Sequence, residues 1–331
     1  MTAVTLETTA AADRRPGARG LLRATLRVHR SALWFWVLLV AVGAGVLLWT
    51  YGPGADAAWA EYRSRGCLRD RPLPGCDMAG DAAGLYHSGV ALAGGLIGIV
   101  PFLTAAWAGA ALIGRELESG TARLAWTQSV SPARWLAAKL AAPAALLVAG
   151  MAVLTLLHRL VFGSDSSLRE TIGASDWYRS PAFEANGTLA TAYALLGLAV
   201  GALAGLLLRR AVPALGTAVL ALGALTFVLG DLRPYLWPVR TLTGTDYPEW
   251  TGMVVDDGAL TSTGARVSDP ICVDDARCLA EHDIVGYYRD FHPASHFWPL
   301  HLVETGIVLA LAALAVLVSF RLLNRRTARA V

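Results

Sequence analysis

Long uncharged apolar runs alternate along the chain with short clusters of charge. Five runs carry no charged residue: Ser31 to Thr50, Ser88 to Ile113, Leu140 to Leu157, Thr188 to Leu208 and Ala211 to Gly230. A sixth, Pro299 to Phe320, carries one acid, Glu304. Crossing a hydrocarbon core of about 30 Å takes roughly 20 helical residues, and these runs match that length. None alternates as a strand would, and lipid leaves the backbone only helix or closed barrel. The pattern therefore predicts an all-α membrane protein with six transmembrane helices, at about 31–50, 88–113, 140–157, 188–208, 211–230 and 299–320. The first run exceeds a signal-peptide core of about 7 to 15 residues, so it is expected to stay as an anchor.

Composition agrees. The chain is 55% hydrophobic and only 16% charged, with a mean hydropathy of +0.48, which a soluble domain of this size would not need. The basic residues sort by side. Residues 1–30, 114–139, 209–210 and 321–331 together hold sixteen basic against four acidic residues, while the other connections hold twelve against twenty, leaving Glu304 aside. The positive-inside bias then places both termini and the 114–139 segment in the cytoplasm, and the larger loops, 51–87, 158–187 and 231–298, outside. The net charge of +3 conceals this asymmetry, so no nucleic-acid partner is inferred. A single lysine among twenty-seven arginines is a bias associated with high-GC bacteria.

Residues 1–19 read as a disordered tail. In GLLRATLRVHR, Leu22 and Leu26 stack on one face and Arg23, Arg27 and Arg30 on another, as in a lateral helix lying on anionic lipid; a plain basic anchor is the alternative. All four cysteines fall on the outer side. Of the three pairings they allow, the local ones, Cys67 with Cys76 and Cys272 with Cys278, are expected in an oxidising exterior, with unpaired thiols as the alternative. The outer loops at 51–87 and 231–298 have room for short helices. The acids of the last, including Asp256, Asp257, Asp274 and Asp275, read as a solvated surface, since no calcium-loop spacing occurs. Asn186-Gly187-Thr188 matches a glycosylation sequon and reads as chance. Gly197, Gly201 and Gly205 place a smooth stripe on one face of the fourth span, for packing within the bundle or across a dimer. Pro101 and Pro213 are positions where helices kink.

The segment GRELESGTARLAWTQSVSPARWLAAKL, from residue 114 onward, is the sizeable inner connection between spans. Ser131 before Pro132 is a helix start. ARLAWTQSV fits a short amphipathic helix under the bilayer, with Leu124 and Trp126 available to packing and Arg123 and Gln128 to solvent. It reads either as a docking knob for a partner or as a re-entry turn with Trp126 and Trp135 in the interfacial belt. This segment resembles the inner loop of ABC-2 type transporter permeases, especially actinobacterial ones, and FHPASHFWPLHLVETGIVLALAALAVLVSFRLLNRR at 291–326 resembles that family's last outer loop and sixth span. The resemblance implies a coupling helix seated in a cleft of a separate ATPase. Glu116 and Glu118 would face the ATPase, with Gly120 and Thr121 as the turn behind them. Arg123 would lie on the same segment, and Arg134, Trp135 and Lys139 would lead back to the membrane. It further implies export, ATP and magnesium held by the partner, and a homodimer or paired half-transporter.

The only lysine, Lys139, lies outside any G-x-x-x-x-G-K-[ST] context, so this chain carries no P-loop of its own. No catalytic residue, cofactor or metal site is assigned to it. No serine-hydrolase or zincin motif appears either. Glu304 lies about two turns into the sixth span, where an unpaired ionised acid costs roughly 2.5 to 3.5 kcal/mol; His158 and Arg159, at comparable depth, are its expected partners. His292 and His296, four apart with Asp290 nearby, are a conceivable metal pair, outweighed by a Pro-started helix cap. The rival to a transporter subunit is a membrane sensor or scaffold whose outer loops bind a ligand; an integral membrane enzyme is a distant third.

Overall fold

A computed structural model describes residues 27–65, 80–127, 130–164, 176–248, 252–272 and 275–328. Six helices are long and apolar enough to cross a membrane: Arg30–Ser64, Asp81–Glu118, Pro132–Gly163, Leu189–Leu208, Ala211–Tyr235 and Ala294–Thr327. They are numbered here as spans one to six. The four outermost in length run well past the apolar runs, so charged turns stand above and below the bilayer on continuous helix. The tail, residues 20–26 of the lateral segment, and Cys67 and Cys76 lie outside the described residues.

Span four is the axis. It packs against spans two, three, five and six, and most of its length is buried. Its glycine stripe sets the approach to span two. A Cβ on Gly197 would stand 2.3 Å from the Pro101 carbonyl oxygen, one on Gly201 2.5 Å from that of Ala105, and one on Gly205 2.9 Å from Ile113 Cβ. The stripe thus serves packing within the bundle. Pro101 and Pro143 sit inside spans two and three. Pro213 is the third residue of its helix, a first-turn position where the missing N–H costs nothing, so it begins span five and does not kink it.

Two spans contain wide π turns. In span one, Thr50–Gly54 encloses Pro53, which cannot donate to the helical ladder. In span two, Ala108–Gly114 is a wider turn; a Cβ on Gly109 would meet the Ala214 carbonyl oxygen at 2.9 Å. Such bulges mark helices bent to fit neighbours or function. Beyond Pro53 the chain stays helical to Ser64, and the Glu61 carboxylate reaches across to accept from Ala82 N (2.9 Å) and Ala83 N (3.0 Å), capping span two.

The loop before span six departs from the expectation of short helices alone. Besides the short helices Arg233–Tyr235, Ala276–Glu281 and Ala294–His296, its described residues form a four-stranded antiparallel sheet. The strands are β1 (Arg240–Gly244), β2 (Met253–Thr261), β3 (Arg266–Val267) and β4 (Ile284–His292), in the order β1-β4-β2-β3. The β2–β4 register runs from Met253↔His292 to Thr261↔Ile284, with a bulge between Val254 and Asp256. Met-Val-Val and Ile-Val-Gly-Tyr-Tyr carry the β-branched and aromatic residues that favour strands, but the interspersed acids hide the pattern. Asp256 accepts from Tyr288 Oη at 3.2 Å, Asp257 pairs with Arg289, and Asp275 caps the short helix through Arg277 N at 2.9 Å. These acids serve the fold of the loop. Cys272 and Cys278 form the local disulfide expected from their spacing.

Gly201→Leu is expected to lower the melting temperature in detergent, because overfilling a packed contact costs about 1–3 kcal/mol. Gly98→Ala, where an added Cβ meets nothing within 4 Å, is the neutral control; equal melting of the two variants would refute the close contact.

Candidate functional site

Two polar assemblies sit at opposite ends of the bundle. The first is built on the connection between spans two and three. Span two ends at Arg115–Glu118, and Gly120 turns the chain with φ +76, a left-handed angle that favours glycine. A short helix follows at Thr121–Thr127. Ser131 Oγ then accepts from Arg134 N at 3.3 Å, starting span three as the Ser-Pro pair predicts.

The two acids turn back into the chain. Glu116 accepts from Trp135 Nε1 at 3.2 Å and is paired with Lys139 Nζ. Lys139 is only 5% exposed, and its ammonium lies 3.2 Å from His29 Nε2. Burial, then the Lys139 charge, hold the His29 imidazole below its ordinary 6.5. Glu118 Oε2 accepts from Ala211 N at 3.0 Å, capping span five, where a carboxylate also complements the helix dipole. These bonds tie spans one, two, three and five together. Arg326 Nη1 donates to Leu206 O at 2.5 Å and does the same for the end of span four, next to Arg209, whose φ of 55 is unusual for a residue with a side chain.

The expectation that Leu124 packs is corrected. Ala122 is buried and Trp126 lies edge-on to Trp135 at 5.6 Å, while Leu124 is 60% exposed. Arg123, Leu124 and Thr127 share the outward face, with Ser119 and Thr121 at its start. Indole Trp126 claims the groove beside Trp135 because it covers more apolar surface than Leu124 does. Gln128 lies outside the described residues.

The second assembly surrounds Glu304, and here the expected partners are replaced. Glu304 is fully buried and receives Arg233 in a bidentate pair, Nε to Oε2 at 2.6 Å and Nη2 to Oε1 at 3.0 Å. Tyr193 Oη adds a third bond at 2.9 Å. Arg233 also reaches Ser180 Oγ and Glu184 Oε1, each at 3.3 Å, and lies 4.3 Å over the Phe183 ring. His158 and Arg159 are occupied elsewhere. His158 Nδ1 meets Asn186 Oδ1 at 2.8 Å, and Arg159 Nη1 donates to Asn186 O at 3.1 Å, with its guanidinium 4.5 Å from the Trp298 ring. Depth along the chain was a poor guide because Arg233, just past the apolar run of span five, can extend into the membrane. A planar guanidinium also fits a carboxylate better than imidazole does.

Asn186 is 3% exposed and its amide donates to Ala182 O at 2.8 Å, so the sequon is closed to modification. His292 and His296 face each other through Nδ1 at 3.0 Å, and His292 Nε2 lies 2.8 Å from Pro234 O. Asp290 is engaged by Arg266 at 2.7 Å. Among the described residues no three metal-ligating side chains converge.

A groove of about 1050 Å³ opens between spans one, two, three and five, on the side of the Glu116 assembly. Its walls are mostly apolar, including Trp36, Leu103, Trp107 and Leu146, with His29, Arg115, Glu116 and Thr121 at one end.

A bundle of six apolar helices, locked by charge pairs at both ends, defines a multi-pass protein of the membrane. The family profile described as ABC-2 membrane transporter related matches residues 37–233, which covers spans one to five and the whole connection between spans two and three. More than half of the chain is matched, and the chain belongs to this family, whose members are membrane components of transporters. Neither a curated protein nor a solved structure matches it.

Glu304→Gln is expected to destabilise the protein by about 3 kcal/mol, because it removes the bidentate counter-charge of buried Arg233 and leaves it only the 3.3 Å pair with Glu184. Adding Arg233→Met should recover part of that loss in thermal unfolding; no recovery would show that the pair is not the main interaction there. Protonation of His29 provides a second check. The unfolded chain binds a proton near pH 6.5 and the folded chain only at lower pH, so stability should fall as the pH drops below about 6.5. His29→Gln should flatten that dependence.

Proposed function

We propose that this chain is the membrane-spanning subunit of an ABC exporter, driven by a separate ATPase that docks on the connection between spans two and three. The observation that carries the reading is the 121–127 helix: it stands at the basic end of the bundle, packed through half-buried Trp126 on buried Trp135 and following the turn fixed by the Glu116 and Glu118 bonds, and presents Arg123, Leu124 and Thr127 outward. A helix that is exposed on one face and packed through Trp126 on Trp135 of span three, directly after the turn that Glu116 and Glu118 bond to neighbouring spans, can transmit a push. The absence of a P-loop in the sequence fits the same division of labour, with ATP and magnesium on the partner. Its movement would bias the spans by population shift. The count of basic residues places this end in the cytoplasm and the sheet outside.

In this reading Glu116, Trp135 and Lys139 transmit, and Glu118, exposed while its Oε2 accepts from Ala211 N, stands beside the partner. Thr121 and Gly120 set the angle of the helix, and Arg123 and Leu124 make the contact. One six-span chain offers half a pathway in such transporters, so a second copy or a paired half-transporter completes it.

Capture of the chain from gently solubilised native membranes is expected to bring a P-loop ATPase with it, identified by mass spectrometry. Arg123→Glu with Leu124→Asp should remove the ATPase without changing the melting temperature, since both side chains are exposed. An ATPase absent from the wild type, or retained by the variant, would defeat the coupling assignment; a captured partner that hydrolyses no ATP would favour the sensor or scaffold.

A further inference from the structure

The groove is amphipathic along its length. At about 1050 Å³ it stands at the upper end of the roughly 300–1,000 Å³ typical of small-molecule sites. The apolar walls include Trp36, Leu103, Leu146 and Leu147, and the charged residues of the lining, Arg115 and Glu116, lie together at the end nearest the 121–127 helix. Phe35, Leu103 and Leu215 line it and are substantially exposed at the depth of the apolar runs, so its open side faces hydrocarbon.

The charge at the polar end does not balance. Glu116 is matched by Lys139 and by the Trp135 N–H. The Arg115 guanidinium has no ion pair or hydrogen bond among the described residues, and neither does the Trp107 indole N–H, whose ring stacks edge-on with His29 at 5.4 Å. Among the side chains lining the groove, the uncommitted groups named here are donors, and the uncompensated charge is positive. A guanidinium at the edge of hydrocarbon is matched by an oxyanion, which it can grip through two parallel bonds.

We propose that this groove binds an amphiphile with an anionic headgroup, the headgroup on Arg115 and the alkyl chain along Trp36, Leu103 and Leu146, entering sideways from the leaflet on the Glu116 side. The site stands on this lining alone; that its occupant is the exported cargo rests on the transporter reading above.

The test uses the full chain in nanodiscs of zwitterionic lipid, without ATP or partner, so its outcome is independent of ATPase capture. The probe is a hexadecyl phosphate carrying a terminal diazirine, compared with the corresponding hexadecanol, and labelled residues are mapped by mass spectrometry. The phosphate probe is expected to label the groove several-fold more than Leu220, an exposed position of span five outside it. Arg115→Gln should reduce groove labelling by about tenfold, the loss of one charge-assisted hydrogen bond, and Arg115→Lys should keep most of it. Ala110→Phe, which fills the groove, should reduce labelling by both probes. Labelling as strong at Leu220 as in the groove, or equal labelling by the two probes with no response to Arg115→Gln, would overturn the site. A groove shielded from both probes, with cross-links joining groove residues of two copies, would assign it to a second chain and overturn it equally.

Discussion

Everything in this bundle depends on how closely span four approaches span two. Between apolar helices in lipid there is no hydrophobic force to bring them together, so contact must come from packing and from polar bonds. Gly197, Gly201 and Gly205 supply the first by letting backbone meet backbone, and the carbonyl oxygens of Pro101 and Ala105 occupy the places their side chains would take. The wide turn at Ala108–Gly114 belongs to the same contact, since Gly109 lies between spans four and five. With that seam closed, spans three, five and six have a fixed axis to pack on.

Polar bonds then fix the two ends. At one, Glu304, Arg233 and Tyr193 join spans four, five and six, and Phe183 of the short 180–185 helix closes over them. At the other, Glu116 and Glu118 join spans one, two, three and five. Both assemblies bury charge at sites where any single loss leaves a partner exposed to a poor solvent. The geometry of the second places the exposed seven-residue helix at 121–127 beside side chains bonded to neighbouring spans.

The four-stranded sheet is held to this frame at its two ends. β1 follows Arg233 by a few residues, and β4 runs into the Pro293 turn that opens span six. A movement of spans five and six relative to one another must therefore pass through the sheet or through the Arg233–Glu304 pair.

The six spans, the glycine face, the Cys272–Cys278 bridge and the segment between spans two and three were all legible in the sequence, because each depends on local composition: uncharged length, four-residue spacing, short loop separation, a charged break with a Ser-Pro helix start. The partners of long side chains were not. Glu304 pairs with Arg233, some seventy residues away, and not with His158 or Arg159, since which flexible cation reaches a buried acid is set by how three helices meet. The bonds that Glu116 makes to Lys139 and that Glu118, itself exposed, makes to the Ala211 N–H are likewise absent from any local pattern. Leu124 stays exposed because Trp126 takes the packing position. The sheet was hidden for a related reason: its acids are bonded across strands, and cross-strand bonds leave no periodic signal. What the sequence determined by itself was which segments must leave water; what only the tertiary structure decided was which charges meet once they have.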